Sequence, residues 1–219
     1  MNKIAVWGFR WAPPFAQGLV RDLRVRWALE EAGHPYESRL IDFDERTGAS
    51  YRRRHPFGMV PAFEADGGSL FESGAIVHRI AAGSEALMPA DAQARAEVLT
   101  WMFAAASTVE PPVQSLLEID LVHAGEPWAA LRRPAVVEKV KARLDALSAR
   151  LDGREYLLGR FTAADLLMAS VLRFLRHTDL VAGFPRVDAY LKRCEARPAF
   201  RKALGDQLAD YARNAPLAA

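Results

Sequence analysis

Cysteine is nearly missing from this chain: Cys194 is the only one in 219 residues. An intrachain disulfide framework is therefore excluded, and the usage fits a reducing cytoplasm. Long apolar runs are missing too. None approaches the roughly 20 residues that cross a bilayer as a helix, so no membrane partner is expected. Charge of one sign is scarce, with 29 basic against 27 acidic residues and a net charge of +2. That balance does not call for nucleic acid. His34, His78, His123 and His177 are scattered without metal-ligand spacing, and no metal is expected. The opening residues Met1-Asn2-Lys3-Ile4-Ala5-Val6 lead straight into a strand-like run. A cytoplasmic protein without a signal peptide is the expectation. What the chain does have is a 51% hydrophobic share, enough for one large core or two small ones.

Ile4-Ala5-Val6-Trp7 reads as a short buried strand. A loop over residues 9–17 follows, rich in proline and aromatics. Residues 18–32 have a helical pattern, with Leu19, Leu23 and Trp27 four apart and Arg21, Arg24, Arg26, Glu30 and Glu31 interspersed. Gly33 stops that helix and Pro35 prevents its return. Residues 36–43 alternate roughly and read as a second strand. Strand, helix, strand over this length is a βαβ unit with parallel strands and a right-handed crossover. A linker with Pro89 spans 84–92, and no strand candidates follow it. The spacing predicts helices over 92–121, interrupted at Pro111-Pro112, then 134–151, 163–177, 184–196 and from Pro198 onward. Thr162 and Asp165 have the spacing of a capping box. The helix after them is apolar on nearly all sides and should run through the centre of its domain.

Two words in the first half carry chemistry. The stretch His55-Pro56-Phe57-Gly58-Met59-Val60-Pro61-Ala62-Phe63 reads as a tight turn leading into a strand. Asp66-Gly67-Gly68 is a hairpin turn, and Leu70-Phe71 returns the chain to Glu72-Ser73 at the start of a helix. Val60, placed before a proline, is biased to an extended backbone. Its N–H and C=O can therefore pair with an extended peptide as a strand would. A serine at a helix N-terminus, with unpaired N–H groups around it, suits an anion such as a carboxylate.

Val60-Pro61 followed by Glu72-Ser73 resembles the glutathione-binding half of cytosolic glutathione transferases. The words Arg26-Trp27-Ala28-Leu29-Glu30-Glu31-Ala32-Gly33 and Gly159-x-Phe161-Thr162-x-Ala164-Asp165 extend the likeness to nearly the whole chain. The resemblance implies a thioredoxin-like α/β domain over 1–83, a linker over 84–92 and an all-helical domain over 93–219. It implies a cis bond before Pro61, pairing of Val60 with the cysteinyl backbone of glutathione, and capture of the γ-glutamyl end by Glu72 and Ser73. Met59 stands where relatives carry a residue that reaches the ligand. The function implied is attack of the glutathione thiolate on an apolar electrophile, in a detoxifying, homodimeric enzyme. A non-catalytic carrier of glutathione or a hydrophobic ligand is the alternative of the same fold. An interaction module that has lost the ligand is a third.

The catalytic group is left unknown. The family usually supplies Tyr, Ser or Cys from the loop after the first strand, and residues 9–21 contain none of these. Three readings stay open: stabilisation of the thiolate by N–H groups of the first helix, donation from Arg10, Trp11, Gln17 or Arg21, or binding without much catalysis. A disulfide-exchange role would need a thiol in that loop. Trp11, Phe15, Trp101 and Phe103 are candidates for an apolar pocket. The run Arg52-Arg53-Arg54-His55 reads as a solvated basic surface with one arginine available to a carboxylate.

Overall fold

A computed structural model of the chain describes residues 4–216. The chain forms two compact units, one from the residues up to Leu87 together with those from Pro198 onward, the other Met88–Arg197. The first unit holds a mixed sheet in the order β2-β1-β3-β4, made of β1 (Ala5–Phe9), β2 (Glu37–Ile41), β3 (Ala62–Ala65) and β4 (Gly68–Phe71). β1 runs parallel to β2, with Val6 opposite Ser38, and antiparallel to β3, with Val6 opposite Phe63. β3 and β4 form the expected hairpin. Helix α1 (Asp22–Ala32) is the crossover between β1 and β2. Strand-helix-strand followed by strand-strand-helix is a thioredoxin-like arrangement, as the sequence implied.

α1 starts at Asp22 rather than near residue 18. Gly18 takes φ +76°, a left-handed conformation that no α-helix contains. Short turns occupy the preceding stretch, with the Ala16 N–H on the Pro13 carbonyl and the Leu19 N–H on the Ala16 carbonyl. The helix ends where Gly33 was expected to end it. The His34 N–H reaches the Leu29 carbonyl at 2.9 Å and the Gly33 N–H the Glu30 carbonyl at 3.3 Å, a Schellman motif. After β2 the chain makes a 3-10 turn (Asp44–Thr47) and the four-residue helix α2 (Ala49–Arg52), neither of which the sequence showed. Single turns carry too few residues for a period to appear. Helix α3 (Ser73–Ala81) follows the hairpin.

One sheet face is built around Trp7. The Arg54 guanidinium lies 4.5 Å and that of Arg39 5.5 Å from its ring centroid. Both arginines pair with Glu64, at 2.6 and 3.0 Å. Tyr51 meets Trp7 edge-on at 5.9 Å. Two cations over one indole, bridged by a carboxylate, tie three strands and α2 together.

The second unit is all helical: α4 (Ala92–Phe103), α5 (Glu110–Leu117), α6 (Pro127–Arg150), α7 (Ala163–Leu172) and α8 (Pro185–Glu195). The interruption expected at Pro111-Pro112 falls ahead of the prolines, as a π-helical segment, Ala104–Val109, and the prolines themselves lie in the first turn of α5. Each proline lacks an N–H and crowds the carbonyl four residues back. Pro112 offers no N–H to the Thr108 carbonyl, and Arg143 Nε of α6 donates to it at 3.2 Å. α6 begins seven residues before the expected start at Pro134, which lies inside the helix. Residues 130–135 are solvent-exposed, so water can serve the carbonyl that Pro134 leaves unpaired. α7 is buried at all ten positions, as its apolar circumference required. It ends at Leu172, earlier than expected, and continues as a 3-10 turn, Arg173–Leu175.

The last helix, α9 (Pro198–Arg213), packs on α1 and belongs by its contacts to the first unit. The sequence reading had placed all of 93–219 together. The α1–α9 contact joins an apolar pair, Trp27 edge-on to Phe200 at 4.8 Å, to a buried polar cluster. Arg26 bridges Asp22 at 2.9 Å and Asp210 at 2.7 Å, and Gln207 Nε2 donates to Asp22 Oδ1 at 2.7 Å.

The capping box at the start of α7 is formed in both directions. Asp165 Oδ2 accepts from the Thr162 N–H at 2.9 Å and its hydroxyl at 3.1 Å, and Oδ1 accepts from the Leu157 N–H at 2.9 Å. Replacement of Thr162 by Ala is expected to lower stability by about 1–2 kcal/mol, measured by urea unfolding. An unchanged midpoint would show that Asp165 holds this helix start alone.

Candidate functional site

Local backbone requirements create the site. Gly58 has φ +61°, and a Cβ there would lie 2.7 Å from the Arg46 carbonyl oxygen, so only glycine makes this turn without displacing the main chain. The Gly58 N–H closes it on the His55 carbonyl at 2.9 Å. Met59 and Val60 then lead into β3 through a cis Val60–Pro61 peptide bond. The Val60 N–H and C=O make no main-chain hydrogen bond among the described residues. Both are the groups an extended peptide needs. The Met59 side chain is 53% exposed, while its carbonyl accepts the Tyr51 hydroxyl at 2.8 Å.

At the other end of the hairpin, Ala62 pairs with Phe71. Pro61 precedes and Glu72 follows that last pair of the hairpin. Glu72 is exposed and takes φ +67°, a conformation that costs a non-glycine residue about 1–3 kcal/mol. Ser73 is the first residue of α3 and is only 5% exposed. Its hydroxyl accepts from the buried Arg24 at 3.3 Å. A hydroxyl has two lone pairs and one proton. With Arg24 on a lone pair, the proton stays available to an anionic acceptor. The first-turn N–H groups of α3 lack intrahelical acceptors and add a partial positive charge at the same place.

Arg24, Tyr51 and Arg46 are the contributors that the sequence did not reveal. Arg24 sits among alternating charges and looks like part of a solvated helix face. Tyr51 lies in a helix of a single turn. Arg46 lies in a 3-10 turn and donates to the Gly58 carbonyl at 3.3 Å.

The basic run is not one solvated surface. Arg52 and Arg53 are exposed. Arg54 is taken up by Glu64 and Trp7, and His55 is 3% exposed. The His55 ring lies 5.1 Å from Phe71 and 6.3 Å from Phe57. Its Nδ1 has no hydrogen-bond partner among the described residues. Burial holds the imidazole below its ordinary pKa, with Glu72 pulling the other way.

In the loop after β1, two candidate thiol donors are engaged elsewhere. Arg10 pairs with Asp42 at 2.9 Å, and Gln17 donates to the Ala12 carbonyl at 2.9 Å. At the start of α1 the Leu23 N–H is bonded to the Val20 carbonyl and the Arg24 N–H to that of Arg21. Cys194 is buried in α8, and burial pushes its thiol well above the usual range.

A thioredoxin-like sheet unit with an open Val60 backbone before a cis proline, on a chain whose second unit is all helical, defines the architecture of the glutathione transferases. Comparison with known proteins agrees. The model for the glutathione S-transferase N-terminal domain matches residues 17–82, and that for the C-terminal domain matches residues 129–198. Glutathione S-transferase 4 of Zea mays is 33% identical over 194 residues, covering 82% of this chain and 85% of the relative. The chain belongs to the glutathione S-transferase family. A glutathione transferase of Burkholderia graminis, solved with two glutathione molecules bound per subunit, superposes with a TM-score of 0.81 at 28% identity over 92% of this chain and 87% of that one. Elongation factor 1-gamma of Homo sapiens is 30% identical over 164 residues, 71% of this chain. The chain spans only 36% of that relative's length.

His55 gives the site a pH signature. A histidine whose folded pKa is depressed favours the unfolded state once protonated. Its contribution is intact above the unfolded value of about 6.5 and is lost as pH falls through it. Urea unfolding between pH 8 and 5 should show wild type losing more stability than His55→Gln. Parallel profiles would show that His55 takes up its proton equally in both states.

Proposed function

We propose that this protein binds glutathione in the first unit and promotes attack of its thiolate on an apolar electrophilic carbon. Val60 pairs with the cysteinyl backbone, Pro61 shapes the bend, and Met59 flanks the ligand. Glu72 and Ser73 hold the γ-glutamyl end, Ser73 by its hydroxyl and main chain, Glu72 by its carboxylate on the α-amino group. In the reaction the thiol proton leaves to solvent. The sulfur electron pair then forms the S–C bond, and a leaving group departs with its own pair. The observation that supports the proposal is that the Ala62–Phe71 pair closing the hairpin is flanked in sequence by the cis Val60–Pro61 bond on one strand and by Glu72-Ser73 on the other. Glutathione bound to the Burkholderia relative supports it. By analogy with its family, the protein is proposed to act in the cytoplasm as a homodimer.

A specific observation favours a second reading, binding without turnover. The loop over 9–21 offers no Tyr, Ser or Cys. Arg10 and Gln17 are occupied, and two first-turn N–H groups of α1 are already bonded. The elongation factor relatives are consistent with a use of this fold other than glutathione transfer.

Calorimetric titration with glutathione, followed by ultraviolet titration of the bound thiol, separates the two. The transferase reading expects binding with a thiol pKa pulled well below the free value of about 8.5. Binding with an unshifted thiol selects the carrier, and no binding overturns both. Ser73→Ala should weaken binding by about 1–3 kcal/mol, and unchanged affinity would remove Ser73 from the site.

A further inference from the structure

We infer that the Tyr51 hydroxyl is a positioning group that aims the Val60 N–H at the ligand. The inference rests on the glutathione site proposed above and extends it to a residue that touches no ligand. The Met59 carbonyl and the Val60 N–H belong to one planar peptide group, and in a trans peptide they point in opposite directions. The Met59–Val60 bond is not among the cis bonds of the chain. Fixing the carbonyl therefore fixes the N–H. Tyr51 does this with a hydrogen bond of 2.8 Å.

The phenol is well placed for the task. Tyr51 is 3% exposed and its ring is braced edge-on by Trp7. Burial holds its pKa well above the ordinary phenol value, so it stays a donor. One residue earlier, Arg46 Nη1 holds the Gly58 carbonyl at 3.3 Å. Two successive carbonyls of the bend are thus anchored from the chain segment that follows β2. The next pair of main-chain groups, those of Val60, is left without a main-chain partner among the described residues. An unanchored peptide in a bend can rotate about its flanking ψ and φ, which takes the N–H out of line with an incoming carbonyl. Tyr51 removes that freedom before binding, so its ordering cost is not charged to the ligand.

The test compares wild type with Tyr51→Phe, which keeps the ring and deletes only the hydroxyl. Two probes are used: glutathione, and glutathione whose cysteinyl carbonyl is reduced to methylene. The second cannot accept from the Val60 N–H. The expected result is a glutathione affinity roughly fivefold weaker in Tyr51→Phe, with affinity for the reduced analogue unchanged. Equal losses for both probes would show that the hydroxyl merely supports the fold and would overturn the inference, as would no loss for either. If wild type binds neither probe, the binding-site proposal itself fails and takes the inference with it.

Discussion

Burial of charge on α1 is the constraint on which the first unit depends. Three of its first five residues, Asp22, Arg24 and Arg26, are charged, and all three are buried. An isolated buried ion costs several kcal/mol, so each must find a partner of suitable geometry. Arg26 finds Asp22 on its own helix and Asp210 on α9, and Asp22 also receives Gln207. Burial opposes the Arg26 charge, yet the two carboxylates outweigh it and raise the guanidinium further above its ordinary value. Arg24 reaches Ser73 at the head of α3. A helix that cannot be left unpaired thus fixes the positions of α9 on one side and α3 on another.

That arrangement links stability to the candidate site. The Ser73 rotamer is set by a cation from beneath, and Arg24 is in turn set by the packing of α1. On the opposite side of the bend, the segment between β2 and β3 does comparable work through Arg46 and Tyr51. The groups proposed to touch glutathione are mostly main-chain atoms, which carry no choice of side chain. Their placement is delegated to neighbours, and those neighbours are where the sequence of this chain becomes specific. The loop after β1 contrasts with this. Its polar side chains are used on structure: Arg10 ties the loop to Asp42 just after β2, and Gln17 closes the loop on the Ala12 carbonyl.

Local signals are legible in the sequence itself. Gly33 ended α1, Pro185 and Pro198 opened their helices, the Asp66-Gly67 hairpin formed, and the all-apolar helix after Thr162 was buried throughout. Each of these rests on backbone chemistry within a few residues. What escaped depended on distant partners. Arg26 and Asp210 are 184 residues apart in the chain, so nothing near Arg26 distinguished a buried network from a solvated face. The same holds for Arg24 and for His55. The π-helical form of Ala104–Val109 and the early start of α6 escaped for another reason. They depend on where an orphaned carbonyl finds a donor, which the sequence around the proline does not state. The candidate residues Met59, Val60, Pro61, Glu72 and Ser73 were legible because they follow one another through a single hairpin.

The central claim is that the main chain of Val60 and the helix start at Ser73 form one ligand site. Amide chemical-shift mapping during a titration with glutathione tests it without any mutation. The account predicts that the Val60 and Ser73 resonances move together and saturate at one concentration. Shifts confined to other residues, with Val60 and Ser73 unmoved at saturation, would contradict it.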